Sequence, residues 1–262
     1  MTINIFKSVQ ELLMAMVDYF ISTCKSSISS RGEFNVALSG GSSPKKLYEI
    51  LASPGIKEQV DWEKINFFFG DERYVPADDP ENNALMVKRA LFDPINISAS
   101  KIFPINTSLS PDEAAKEYSE KIATHFKNQK ARFDLILLGL GDNSHTASLF
   151  PHTPVLTNKS ATVKAVFLEE QNVYRITMTA TLINQARHIA FLVYGQAKAE
   201  AVHHVLEDGP DPEKYPAQMI YPEDGELQWY LDETAASALK EELRKRTTVT
   251  KHLTGAGDNR HK

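Results

Sequence analysis

The sequence has few cysteines: only Cys24 occurs among its 262 residues, and no Cys-x-x-Cys pair is present. An internal disulfide is therefore excluded, and nothing indicates a thiolate metal site or a dithiol redox site. A lone cysteine suits a reducing compartment, so we expect a cytoplasmic protein. No segment approaches the ~20 apolar residues of a membrane-spanning helix. The first residues also lack the basic segment, apolar run and cleavage site of a secretion signal, so we expect no membrane partner.

Basic charge is also scarce. The chain carries 29 Lys and Arg against 34 Asp and Glu, a net charge of −5, and its cations form no basic stripe. This balance argues against nucleic acid as the main partner, although a few local cations could still hold an anionic small molecule. With no internal repeat or linker, we predict one α/β domain over residues 1–240 and a polar tail over 241–262. A monomer and a small homo-oligomer both remain open.

Apolar strand-like runs alternate with helical segments along the chain. Ser8 and Glu11 have the spacing of a capping box, and apolar residues at helical spacing follow to about Ser27. Strands are predicted over residues 34–38, 65–69, 135–138, 162–168, 175–179 and 189–194. Helices are predicted to start near Pro44, Asn82, Ser110 and Gln196. This alternation indicates a doubly wound, mainly parallel sheet with helices on both faces.

One stretch, residues 134–151, places a histidine directly after an apolar strand. Leu135–Leu138 lead into small polar residues and His145. Open α/β sheets bind ligands beyond the carboxyl ends of their strands, and imidazole titrates near neutral pH, so His145 is a candidate catalytic group. The alternative is a histidine that hydrogen-bonds within its own turn. The remaining histidines lack such a setting: His125, His152, His188, His203, His204, His252 and His261.

Two glycine-containing segments could bind phosphate groups. Gly40, Gly41 and Ser42 lie between a strand and a helix, where converging amides, a helix N-terminus and a hydroxyl would suit an anion. We call these three residues the anion cradle. The alternative is a tight turn that binds nothing, and P-loop spacing is absent. After the third strand, Gly139 and Gly141 could begin a dinucleotide fingerprint, but Ser144 occupies the required glycine position, which excludes a nicotinamide site.

Four charged residues at element ends are further candidates. Asp71 and Arg73 follow the apolar run 65–69, so Arg73 could bind an anionic substrate and Asp71 could transfer or orient a proton; a structural ion pair is the alternative. Arg175 and Lys198 also lie at element ends. A lysine in the first turn of a helix opposes the helix dipole, which favours an anion nearby, although most surface lysines bind nothing.

Together these segments resemble a known family. The strings are Ser-Gly-Gly-Ser at 39–42, Gly-Asp-Glu-Arg at 70–73, Ser-His-Thr-Ala-Ser-Leu-Phe-Pro at 144–151, Arg-Ile-Thr-Met-Thr at 175–179 and Gly-Gln-Ala-Lys-Ala at 195–199. They occur in the order found in the glucosamine-6-phosphate isomerase/6-phosphogluconolactonase family and span roughly residues 5 to 235. The 144–151 string resembles the lactonases rather than the related deaminases, which have Asp-Gly-His-Ile-Ala-Phe-Asn-Glu-Pro at that place.

The resemblance implies a fold like that of the deaminases and ribose-5-phosphate isomerases. It also implies hydrolysis of a phosphorylated sugar lactone, 6-phospho-D-glucono-1,5-lactone, to 6-phosphogluconate, with no metal or other cofactor. By this resemblance His145 would be the catalytic base, and Arg73 would line the substrate pocket. The anion cradle, Arg175 and Lys198 would serve the substrate, chiefly its phosphate.

The sequence departs from the family at one place beside the base. Asn143 and Ser144 stand where the family has Asp-Gly, and an asparagine cannot supply charge to an imidazolium. Asp142 could substitute for that aspartate. A backbone with positive φ at Ser144 would cost on the order of 1 kcal/mol.

Two other functions remain open. One is a glucosamine-6-phosphate deaminase/isomerase that uses Asp71 as a carbon base, and the other is a non-catalytic sugar-phosphate sensor.

Overall fold

The computed structural model describes residues 1–245, which form a central parallel sheet, a small antiparallel sheet and surrounding helices. The strands are β1 (Thr2–Phe6), β2 (Phe34–Leu38), β3 (Ile65–Phe69), β4 (Asp71–Arg73), β5 (Leu135–Leu138), β6 (Val163–Leu168), β7 (Val173–Met178), β8 (His188–Val193) and β9 (Glu226–Asp232). The α-helices are α1 (Val9–Arg31), α2 (Ser42–Leu51), α3 (Asn83–Val87), α4 (Asp93–Ile95), α5 (Pro111–His125), α6 (Ala180–Ile183), α7 (Ala199–Leu206) and α8 (Glu241–Lys245).

The central sheet has six strands in the order β1-β9-β8-β5-β2-β3, and every neighbouring pair is parallel. The predicted mainly parallel sheet is therefore confirmed. The small sheet has the order β4-β7-β6, with antiparallel pairs. Two of the predicted strands, β6 and β7, belong to this second sheet, and nothing in the sequence separates them from the main one.

Both faces of the central sheet are covered, as neighbouring residues of β3 demonstrate. Phe67 packs against the rings of Trp62 and Phe92 on one face. Phe68 points to the opposite face, where it stacks on Phe103 and contacts His125 of α5. Side chains alternate across a strand, so a run that is buried at every position needs packing on both sides. The continuous apolar run of β3 reflects this double burial.

The strand order creates a switch point between β2 and β5. The chain goes from β2 to β3 on one side, then returns to β5 on the other side of β2. Because parallel crossovers are right-handed, the segments that leave β2 and β5 turn to opposite faces of the sheet. A crevice opens between them at the carboxyl ends of the strands, which is where doubly wound sheets bind ligands.

Most element boundaries agree with the sequence-based predictions, with differences at the ends. Ser8 caps α1 as predicted, but the helix continues one turn past Ser27 to Arg31, where Gly32 with φ 83° ends it. The helix predicted to start near Asn82 is α-helical only over α3, and a π-helical segment, Lys88–Phe92, follows. Strands β1 and β9 and the short β4 were not predicted.

The division into one domain over 1–240 and a tail over 241–262 stays a prediction. Helix α8 occupies the first five positions of that tail, and residues 246–262 lie outside the described part. Across residues 1–245, no helix has the length and apolar character needed to cross a membrane.

Candidate active site

A cleft of about 400 Å³ lies at the switch point. This volume falls within the range of small-molecule sites. All eight residues proposed from the sequence line it: Gly40, Gly41, Ser42, Asp71, Arg73, His145, Arg175 and Lys198. They come from five separate segments of the chain, so the fold assembles what the sequence leaves dispersed.

The anion cradle follows β2 and opens α2. Gly41 is the residue before the helix, and its φ is 104°, a backbone conformation that residues other than glycine rarely adopt. Gly40 faces the side chain of Asn83, and a Cβ atom there would lie 1.8 Å from Asn83 Oδ1. The first amides of α2 have no partner within the helix, and Ser42 and Ser43, which carry them, line the cleft, which suits a phosphate.

His145 is held at one ring nitrogen by Asn143. The Oδ1 atom of Asn143 lies 3.3 Å from the backbone nitrogen of His145 and 2.5 Å from its Nδ1. The backbone N–H can only donate, so the amide atom facing it is the carbonyl oxygen. The same oxygen must then accept from Nδ1, which assigns the proton to Nδ1. Within the described residues Nε2 makes no hydrogen bond, which leaves its lone pair available.

Two neighbours fix the plane of the His145 ring. Phe150 stacks on it with centroids 3.9 Å apart and an interplanar angle of 17°. Gly141 lies against its edge, where a Cβ atom would come within 2.0 Å of Nδ1. Burial, and then the nearby cations led by Lys198, lower the pKa of His145 to about 4. The imidazole is therefore neutral near pH 7 and can accept a proton.

Asp142 does not take the place of the missing family aspartate. Its Oδ1 atom accepts a hydrogen bond from Lys198 Nζ at 2.6 Å, and it makes no contact with the His145 ring nitrogens among the interactions of the described residues. The suggestion that Asp142 orients His145 is therefore wrong. A lysine that pairs with an exposed carboxylate in the free protein can exchange it for a phosphate, since both are oxyanions.

Arg73 and Arg175 face each other across β4 and β7. They are directly paired in the antiparallel register, which places both guanidinium groups on the same side of the sheet. Burial and the charge of Arg73 lower the pKa of Arg175. Like charges placed opposite each other are unfavourable unless an anion lies between them. Arg73 is partly neutralised by Glu81, at 3.4 Å, rather than by Asp71.

Asp71 lies on the floor of the cleft. It is 8% exposed, and its Oδ2 atom accepts a hydrogen bond from Ser148 Oγ at 2.6 Å. Burial raises the pKa of its carboxyl group, while Ser148 and the charges of Arg73 and Arg175 oppose that rise. The predicted alternative, an ion pair between Asp71 and Arg73, is not what the structure contains. Asp71 instead contacts the loop that carries His145.

Three residues that line this cleft, Asn83, Ser148 and Phe150, were not among the candidates from the sequence, and neither was Asn143, which contacts His145. Ser148 and Phe150 belong to the 144–151 string, so their place in the motif was an available signal. Asn83 lies outside the motifs, and it is held at the cleft because the Glu72 carboxylate accepts its backbone N–H and the backbone carbonyl of Asp71 accepts its side-chain N–H. In the described part, no group of three His, Cys, Asp or Glu side chains could hold a metal ion.

Comparisons with known proteins point to one family. The family model of glucosamine-6-phosphate isomerases/6-phosphogluconolactonase matches residues 7–229. The 6-phosphogluconolactonase of Synechocystis sp. is 43% identical over 217 residues, 81% of this chain and 88% of that protein. That of Nostoc sp. is 37% identical over 242 residues, 91% and 98% of the two chains. A solved structure of 6-phosphogluconolactonase from Trypanosoma cruzi superimposes with a TM-score of 0.80 and 29% identity, covering 91% of this chain and 97% of that one.

Proposed function

The chain belongs to the family of glucosamine-6-phosphate isomerases and 6-phosphogluconolactonases, and from that premise we propose how its cleft performs lactone hydrolysis. The enzyme is a hydrolase of the pentose phosphate pathway that converts 6-phospho-D-glucono-1,5-lactone to 6-phosphogluconate. Its single cysteine supports our further proposal that it works in the cytoplasm.

In the proposed mechanism His145 is the general base. Its Nε2 lone pair takes a proton from a water molecule while the water oxygen attacks the C1 carbonyl of the lactone. The tetrahedral intermediate then collapses, the bond between C1 and the ring oxygen breaks, and the imidazolium returns its proton to that departing oxygen. A positioned base contributes about 10²–10⁴ in rate. The low pKa of His145 keeps it in the proton-accepting form at neutral pH.

The cations of the cleft serve the two charged parts of the substrate. Arg175, Lys198 and the anion cradle bind the phosphate, and this remote binding energy holds C1 against the attacking water. Arg73 lines the same cleft and stabilises the negative charge that develops on the carbonyl oxygen, an interaction worth about 10²–10³ in rate.

Asp71, held by Ser148, orients the substrate beside these groups, because its carboxylate can accept from sugar hydroxyls.

The observation that carries this proposal is the free Nε2 of a neutral His145 in the same cleft as three cations and the anion cradle. The test is acid release from freshly prepared 6-phosphogluconolactone, after subtraction of spontaneous hydrolysis. His145→Gln should lower kcat by about 10²-fold or more, because the amide cannot take a proton. The matched control is His152→Gln, an exposed histidine outside the cleft, which should behave like the parent. If His145→Gln retains more than a tenth of parental kcat, His145 is not the base.

The same preparation tests the two other functions. Release of ammonia from glucosamine 6-phosphate would identify a deaminase. Binding of 6-phosphogluconate without any acceleration of lactone opening would identify a sensor.

A further inference from the structure

Asn143 has no role in the mechanism above, yet it makes the only side-chain hydrogen bond to the His145 ring among the described residues. The loop that follows β5, up to the isolated bridge between Thr146 and Leu149, brings the two side chains to the same side. Ser144 has φ 63°, its N–H donates to Gly141 O, and Gly141 N–H donates to His145 O. This tight turn sets Asn143 Oδ1 against both the backbone and the ring of His145.

We propose that Asn143 is the positioning residue of this active site and that it holds His145 in its Nδ1–H form through an uncharged acceptor. The proposal rests on the proposed function of His145 as the base. A carbonyl oxygen at Nδ1 fixes the tautomer and the ring direction, so Nε2 is the nitrogen left to meet the water.

No other residue in the range 1–245 offers a hydrogen-bond acceptor to the His145 ring. Asp142, the nearest carboxylate in the sequence, is bound to Lys198. Phe150 fixes the plane of the ring but offers no acceptor, and Gly141 only leaves space for its edge. Orientation within the ring plane therefore depends on Asn143.

The neutral acceptor matters because of the charges that face His145. Lys198 before α7, Arg175 on β7 and Arg73 on β4 disfavour the imidazolium, and Asp142 in its own loop favours it. A carboxylate at position 143 would add a negative charge to that of Asp142, and this added charge would be in direct contact with Nδ1. Asparagine supplies the same hydrogen bond without that charge, so the base stays unprotonated to lower pH.

Two substitutions separate the hydrogen bond from the missing charge. Asn143→Ala removes the acceptor and should lower kcat by about 10²-fold, with KM within a few fold of the parent, because the ring is no longer aimed. Asn143→Asp keeps an acceptor of the same shape and adds charge. Its carboxylate stabilises the imidazolium, so the pH below which kcat/KM falls should move upward by about one unit or more, with kcat recovering at higher pH.

The control is Asn128→Asp, which adds the same charge at an exposed residue with φ 58° beyond the end of α5 and should keep the parental pH profile. Thermal unfolding of each variant checks folding, and the isosteric Asn143→Asp decides the matter alone if Asn143→Ala does not fold.

Parental kcat in Asn143→Ala, or an unshifted pH profile in Asn143→Asp, overturns the proposal. If His145→Gln is also fully active, the proposed function fails as well; if His145→Gln is inactive, only the role of Asn143 is lost.

Discussion

Gly141→Ala should disable the base without disturbing the fold. Gly141 does not have a positive φ, so its backbone accepts alanine. The added Cβ atom would lie 2.0 Å from Nδ1 and 2.1 Å from Cε1 of His145. Ordinary contacts between such atoms begin near 3.5 Å, so the ring must move by about 1.5 Å. That shift separates Nδ1 from Asn143 and the ring from Phe150.

The expected loss follows from that displacement. A misplacement of about 1 Å costs on the order of 10² in rate, and complete loss of a base costs at most about 10⁴, so kcat should fall by about 10²–10⁴. The residues proposed to bind the phosphate are not displaced, so KM should stay within a few fold. Gly209→Ala, which adds a methyl group where no atom lies within 4 Å, is the control.

The assay for both variants is initial-rate hydrolysis of the lactone together with the thermal midpoint. A folded Gly141→Ala enzyme with kcat within threefold of the parent would refute the position assigned to the catalytic ring.

Three further predictions concern charge. His145 must be neutral to act as the base, and its pKa is lowered to about 4. As the pH is lowered from 7, kcat/KM should therefore stay constant and fall only near pH 4, which phosphorus NMR of the remaining lactone can measure. Arg175→Gln should raise KM by about 10-fold or more while kcat changes little, because the variant loses one charge-assisted hydrogen bond to the phosphate. Inorganic phosphate should also raise the thermal midpoint of the parent more than that of this variant. Asp142→Asn frees Lys198 for the substrate, so steady-state kinetics should give a lower KM. The substitution also removes a negative charge that raises the pKa of His145, so the pH profile should shift to lower pH. A higher KM would contradict the exchange of Asp142 for phosphate.

The sequence predicted the central elements because their local signals agree with their burial. The apolar run 135–138 is a strand because it is buried at every position, and Ser8 caps α1 because its side chain accepts from the backbone N–H of Glu11. Strands β1 and β9 were missed. They are neighbours in the sheet although they lie more than two hundred residues apart, and β9 mixes polar and apolar residues without a regular alternation. Long-range pairing of this kind leaves no local pattern.

The candidates from the sequence line one cleft, but the hydrogen bonds among its residues were not predicted. Most of the candidate side chains belong to short motifs that follow parallel strands, so the topology of the central sheet brings these motifs together. Which acceptor reaches Nδ1 depends on the turn. At Ser144 the positive φ directs Asn143 toward the imidazole and leaves Asp142 facing Lys198, and the sequence alone does not distinguish these two arrangements.

The loop that carries His145 contains strained backbone, which is held in place from outside the loop. Ser144 and Ala147 both have positive φ, at 63° and 47°, and each such residue costs on the order of 1 kcal/mol or more. The N–H of Ala217 donates to Ser144 O, and Ser148 N–H donates to Thr177 Oγ1 on β7. These bonds come from two separate elements, one of which also carries Arg175. Because β7 anchors the loop of His145 and also carries Arg175, the distance between these two residues is set by packing rather than by the loop alone.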